Sequence, residues 1–277
     1  MMLDTRWQLH GIDFTSAPSS RKRITIASGY LTNDIWQLES LEGLTDFVSF
    51  KNWLSQPGPW LGAFDLPFSL PRELIENLGW PLNWHSMITH YTTHSRAEIR
   101  DTFKQFCDGR AVGNKFSHRA TDIPAASSSS MKWVNPPVAY MLHAGAPLLL
   151  EAGVTLYGMH SGDPQRIALE GYPGMVARSI LRDSYKSDTR SKQTPQRRAA
   201  RETIVDHLER GDYRFNIKLD AGPYREALLG DGSGDLLDAV LCGILAAWAW
   251  QRREEQFGLP DFDPLEGWIV GAGAAVE

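Results

Sequence analysis

A chain of 277 residues can bury a large core, either as one α/β domain or as one domain carrying a sizeable insertion. Its net charge of −5 argues against a generally basic nucleic-acid coat and leaves room only for a local basic groove. The two cysteines, Cys107 and Cys242, share no metal-ligand spacing and suit a reducing cytoplasm, both thiols packing as small hydrophobes. Met1 to Arg6 has no apolar signal region, and the longest apolar run, Ala239 to Trp250, is too short to span a bilayer. The expectation is a soluble cytoplasmic protein with no membrane partner.

Trp7 to Phe14 reads as a strand, with Ile24-Thr25-Ile26-Ala27 and Tyr30-Leu31 as its antiparallel partner. Asp13 lies inside this apolar β pattern, just before the polar turn Thr15-Ser16-Ala17-Pro18-Ser19-Ser20. Burying an ionised carboxylate there costs several kcal/mol unless something compensates it, roughly the scale for an unpaired charge, and a divalent cation is a common compensation. The hairpin tip is basic, through Arg21, Lys22 and Arg23. Asp34 to Leu38 can complete a meander as a third strand. Leu44 to Leu54 recurs at helical spacing and is stopped by Gln56-Pro57-Gly58. Trp60 to Phe64 is then a buried strand ending at Asp65, and the strand-helix-strand order predicts a parallel pairing with the first strand.

Residues 71–153 read as a mainly helical insertion within a single domain over 1–277, placed to cover the site. They hold most of the histidines (His85, His90, His94, His118, His143), a helix from Ser95 to Cys107, an Ala/Ser run over Ala125 to Ser130, and an apolar helix from Val138 to Leu150. No cysteine stands at ligand spacing from the histidines, so they read as surface or structural groups. The Ala/Ser run reads as a mobile loop. Beyond it, Val154-Thr155-Leu156-Tyr157 and Ile167-Ala168-Leu169-Glu170 read as strands, and Pro173 suits a helix start. Arg178 to Arg201 carries eight Lys or Arg against Asp183 and Asp188, and a helix fits Pro195 to Arg210. The last strong element, Asp235 to Gln251, is apolar on nearly every face, as for a helix clamped against a sheet.

Five carboxylates share one peculiarity: each stands at the edge or the start of an apolar element. Asp13 lies in the first strand, Asp65 and Glu170 close later ones, and Asp235 and Asp238 open the buried helix on one face. In parallel sheets, strand carboxyl ends and helix amino ends meet on the rim where ligands bind. Acids gathered there would repel one another unless they shared cations, and an all-oxygen set suits Mg²⁺ or Mn²⁺. The plain alternatives are a helix cap for Asp235-x-x-Asp238, a turn for Asp65 before Leu66-Pro67, and a cap for Glu170 ahead of Pro173.

Several ordered motifs carry a resemblance: Gly11-Ile12-Asp13-Phe14, Phe64-Asp65-Leu66-Pro67, Glu170-Gly171-Tyr172-Pro173, Tyr185-Lys186, Asp235 to Cys242, and Glu266-Gly267-Trp268-Ile269. Together they resemble the domain-of-unknown-function family numbered 429, regarded as predicted nucleases of the ribonuclease H-like fold. The resemblance implies a mixed sheet, an antiparallel meander followed by parallel strands, flanked by helices, with an acidic helix near the end. It implies Asp13 as the first-strand metal ligand, Asp238 and Asp235 as a two-acid helix start, and Glu170 or Asp65 as the strand-end acid.

These readings predict a metal-dependent nuclease cleaving phosphodiester bonds of DNA or RNA by a two-metal mechanism. Asp13, Asp65, Glu170, Asp235 and Asp238 are its catalytic candidates, the first three and Asp238 being the metal ligands. Arg119 beside His118 and Asp122, and the basic Arg178, Arg182, Lys186 and Arg190, are candidate contacts to the nucleic-acid backbone. Two rival readings stay open. One is an actin-like or sugar-kinase-type phosphotransferase or ATPase on the same core, its first turn cradling phosphate. The other is a nucleic-acid-binding module without turnover.

Overall fold

The computed structural model describes residues 6–274, so Met1 to Thr5 of the expected leaderless N-terminus lie outside the described residues. The first three strands are β1 (Gln8–Asp13), β2 (Ile24–Thr32) and β3 (Ile35–Leu44), followed by helix α1 (Phe47–Leu54) and strand β4 (Trp60–Asp65). Helices α2 (Arg72–Asn77), α3 (Trp84–Thr92), α4 (Arg96–Asp108), α5 (Asp122–Ala125) and α6 (Val138–Glu151) come next. They are followed by β5 (Val154–Leu156), β6 (Asp163–Glu170), α7 (Pro173–Ile180), α8 (Pro195–Arg210), β7 (Lys218–Asp220), α9 (Arg225–Gly230) and α10 (Asp235–Gln251).

The seven strands form one mixed sheet in the order β5-β6-β4-β1-β2-β3-β7. β2 is antiparallel to β1 and β3, whereas β1–β4, β4–β6, β5–β6 and β3–β7 pair in parallel. The expected meander followed by parallel strands is therefore present, and the carboxyl ends of β1, β4 and β6 share one rim.

Strand side chains alternate between faces. In β1, Leu9 faces the core under α7, α8 and α10, while Ile12 faces the core under α1, α3, α4 and α6. Helices α2 to α6, the expected insertion, thus share a hydrophobic core with the sheet rather than forming a separate one. α10 is buried at every residue from Leu237 to Ala249, which explains its lack of a polar stripe. It lies directly against β1 because Gly11 leaves room for the helix backbone, while Gly243 leaves room for the Trp36 ring of β3. A Cβ on Gly11 would stand 1.9 Å from the Ala239 carbonyl oxygen and 2.0 Å from the Gly243 nitrogen.

Several boundaries differ from expectation. β3 runs on to Leu44, because nine-residue β2 offers it a pairing ladder along its whole length. The helix then begins only at Phe47, where the Asp46 side chain accepts from the Ser49 backbone N–H at 2.8 Å. Further on, α4 starts at Ser95 with a reciprocal capping box to Glu98, and Pro173 and Pro195 occupy first turns. Within the Ala125 to Ser130 run Ala126 is exposed, but Ala125, Ser129 and Ser130 are buried, with Ser129 bonded to the Ser117 carbonyl. No helix among the described residues is long and apolar enough to cross a membrane.

Candidate metal centre

Register decides which acids meet. Asp13 and Asp65 are paired across the parallel β1–β4 ladder, so their side chains leave the same face at the strand ends. That face is the one covered by α10. Asp238 stands one turn into α10, and the close glycine crossing brings it under the two strand ends. One carboxylate oxygen from each of Asp13, Asp65 and Asp238 lies within 4.8 Å of the others.

Asp13 is 6 % exposed, and its Oδ2 is buried with no hydrogen-bond partner among the described residues. Burial, followed by the charges of Asp238, Asp65 and Asp235, pushes its carboxyl well above the ordinary range. Asp65 is pushed up to about 7, first by burial and then by Asp238. An orphaned oxygen amid like charges is the condition a cation relieves, and three oxygen donors fit a hard divalent ion such as Mg²⁺ or Mn²⁺.

Asp238 is better supplied. The Tyr185 hydroxyl donates to its Oδ1 at 2.5 Å, and the Lys186 ammonium pairs with its Oδ2. Asp235 lies outside the triad, held by the Lys22 ammonium at 2.6 Å. Neither acid caps α10. Asp231 does so instead, accepting from the Leu236 N–H at 2.9 Å, and this frees the two helix acids for other partners. Lys186 is itself positioned by the N-cap of α10. Gly234 adopts a left-handed φ of +81°, and a Cβ there would come within 2.6 Å of the Lys186 Cβ.

Glu170 does not join the metal centre. It is the ladder partner of Phe64, not of Asp65, so its side chain leaves the opposite face of the sheet. There the Arg119 guanidinium grips it at 2.6 and 2.7 Å, and the Phe68 N–H donates to it at 2.9 Å. Arg119 also differs from expectation: it is 2 % exposed and engaged by Asp122 at 3.0 Å, so it is a buried counter-ion rather than a phosphate contact. Burial opposes the Arg119 charge, but Glu170 and Asp122 more than offset this and hold the guanidinium protonated. Glu266 ties the tail to the same region, accepting from the Arg72 and Ala120 N–H groups at 2.7 and 3.0 Å.

Of the expected backbone contacts, only Lys186 stands at the centre. Arg178 instead lies over the Tyr172 ring and donates to the Ala125 carbonyl at 2.9 Å. Arg182 and Arg190 are exposed and line neither cleft at the acids. A polar cleft of ≈ 480 Å³ beside Asp235 gathers a different set, Lys22, Lys186, Lys192 and Arg197, among the hydroxyls of Ser187 and Thr189. Sequence reading missed Lys22, Lys192 and Arg197 as a group because the cleft joins the β1–β2 turn to the segment before α8. Tyr185 was visible in the Tyr185-Lys186 motif without a role. A second cleft of ≈ 220 Å³, on the other side of Lys186, is mostly apolar; Asp65, Leu66, Val138 and Tyr172 bound it, and the Arg119–Glu170 pair lies in its wall.

Compared with protein-family models, curated proteins and solved structures, the chain matches none.

Proposed function

We propose that this chain is a metal-dependent phosphodiesterase acting on nucleic acid, on a ribonuclease H-like core. The observation that carries the reading is the Asp13 oxygen buried without a partner between Asp65 and Asp238. The strand order β3-β2-β1-β4-β6, in which only β2 runs against the others, supports the fold assignment, as does the acidic start of α10. It agrees with the arrangement that the family resemblance implies.

Asp13 and Asp65, set by neighbouring strand ends, and Asp238, set by the helix, would hold Mg²⁺ or Mn²⁺. Bound there, such an ion supplies Lewis acidity and charge neutralisation at a phosphoryl centre. Tyr185 fixes the orientation of Asp238 through its Oδ1. Lys192 and Arg197, with Lys22 and Lys186 at the cleft wall, hold phosphate oxygens of the strand by charge, while the hydroxyls around them donate hydrogen bonds. An overall acidic chain thereby presents a cleft with four cationic side chains against Asp188 and Asp235.

The test is cleavage of single strands, duplexes, RNA–DNA hybrids and branched DNA with Mg²⁺ or Mn²⁺. The expected result is cleavage abolished by chelation and by Asp13→Asn. An Asp13→Asn protein that keeps full metal-dependent cleavage overturns the reading. Stabilisation by ATP with Mg²⁺ but not by oligonucleotides replaces it with a phosphotransferase or ATPase. Salt-sensitive oligonucleotide binding without any cleavage replaces it with a silent binding module.

A further inference from the structure

We infer that the centre takes one divalent ion, not two, and that the Lys186 ammonium stands as its second cation. The inference rests on the metal reading above and deepens it. Three observations carry it.

First, the donor set is sized for one ion. Ligands on opposite sides of an octahedral Mg²⁺ are about 4.2 Å apart, and the triad oxygens spread over no more than 4.8 Å. A second ion about 3.5–4 Å away would have to share these same carboxylates as bridging ligands or draw on others nearby. The nearest acids outside the triad are spoken for: Asp235 is bound by Lys22, and Glu170 is gripped by Arg119 on the other face of the sheet.

Second, the place beside Asp238 is already taken by a charge. Lys186 pairs with Asp238 Oδ2 while Tyr185 holds Oδ1, so both oxygens of the one helix ligand have partners. The lysine stem is seated against Gly234, at a position a Cβ would fill, which holds the ammonium at the centre although its side chain is 43 % exposed. Lys186 also borders both clefts, the basic one and the apolar one. A phosphate crossing from one to the other passes the ammonium.

Third, the formal charges agree. The triad holds three carboxylates, Asp13, Asp65 and Asp238, against one ammonium group, Lys186, while Lys22 is shared by Asp235 and Asp188 beside it. The remainder is two negative charges, which one divalent ion neutralises and two would overshoot. Lys186 then does what a second metal does elsewhere, placing positive charge on the phosphate while Asp238 anchors it.

The experiment is Mn²⁺ binding to the full chain, measured by calorimetry and by loss of the free-Mn²⁺ resonance signal, for wild type, Lys186→Met and Lys186→Arg. Circular dichroism confirms that each variant is folded. The expected stoichiometry is one ion in wild type. Lys186→Met, with one positive charge removed next to the ion, binds Mn²⁺ about tenfold more tightly, and Lys186→Arg stays within about twofold of wild type. Two ions on the wild-type protein overturn the inference but leave the metal reading intact. So does a Lys186→Met affinity equal to or weaker than wild type. No Mn²⁺ binding by wild type overturns the metal reading itself, and this inference with it.

Discussion

Two sets of acids converge at the rim where β1, β4 and β6 end, one on each face of the sheet, and they differ in how their charge is met. On the face toward α2–α6, Glu170 and Asp122 enclose the Arg119 guanidinium in bonds of 2.6 to 3.0 Å. On the face toward α10, Asp13, Asp65 and Asp238 crowd together with an oxygen of Asp13 left bare. Both sets sit in core surroundings, so burial alone does not distinguish them. The difference is the counter-charge. Where the chain supplies its own, the acids tie parts of the fold together; where it supplies too little, they form a group that could hold a cation. A pair one residue apart in register, Asp65 and the position opposite Phe64, falls on the two sides of this divide.

Substitutions on either face break the comparison in opposite directions. Arg119→Met leaves two buried carboxylates without their counter-ion, held only by hydrogen bonds such as those from the Phe68 N–H and the Ser127 hydroxyl, and is expected to destabilise the fold by about 3–5 kcal/mol, read as a lower midpoint in urea. An unchanged midpoint would mean that the cluster is not ionised as drawn. Gly11→Ala forces a methyl group against the backbone of α10, where neither neighbour can give way. The expected loss is about 3 kcal/mol, accompanied by loss of Mn²⁺ affinity because Asp238 is pushed from the strand ends. Asp13→Asn works the other way. It removes one of three repelling charges, so without metal the variant is expected to gain about 1–2 kcal/mol while losing metal-dependent cleavage. A variant less stable than wild type in chelator would show that the acids are compensated after all.

Titration sharpens the contrast. The Asp65 carboxyl lies at about 7 in the folded chain, above its unfolded range, because burial and Asp238 disfavour its charge. A raised carboxyl contributes stability at low pH that is lost as pH rises through its folded value. The metal-free protein is therefore expected to lose stability between about pH 4 and pH 7, and Asp65→Asn to flatten that loss. Stabilisation by Mn²⁺ grows over the same interval, since the ion needs ionised ligands. Melting curves in chelator and in Mn²⁺ across this range check both. The smallest effect belongs to the basic cleft. Charge reversal at Lys192 and Arg197 is expected to weaken oligonucleotide binding and shallow its salt dependence by about two units of slope, with Mn²⁺ affinity unchanged.

Local patterns were enough to find most elements. Short apolar runs marked β1 and β4, proline and hydroxyl caps marked the starts of α4, α7 and α8, and an unbroken apolar run marked α10. Elements whose existence depends on distant partners were not visible in this way. β3 was read too short because its second half is sustained by β2, and three-residue β7 is a strand only because β3 lies beside it.

The same division holds for the site. The sequence by itself determined that Asp13, Asp65, Glu170, Asp235 and Asp238 stand where an apolar element begins or ends, since this is a property of neighbours along the chain. It left Asp65 and Glu170 as equal candidates. Only the tertiary structure separated them, because the face a strand residue occupies is set by pairing register, and a shift of one residue turns a side chain to the other side of the sheet. Charge compensation is likewise a property of space: Arg119 reaches Glu170 from 51 residues away, Lys186 reaches Asp238 from 52, and Lys22 reaches Asp235 from 213.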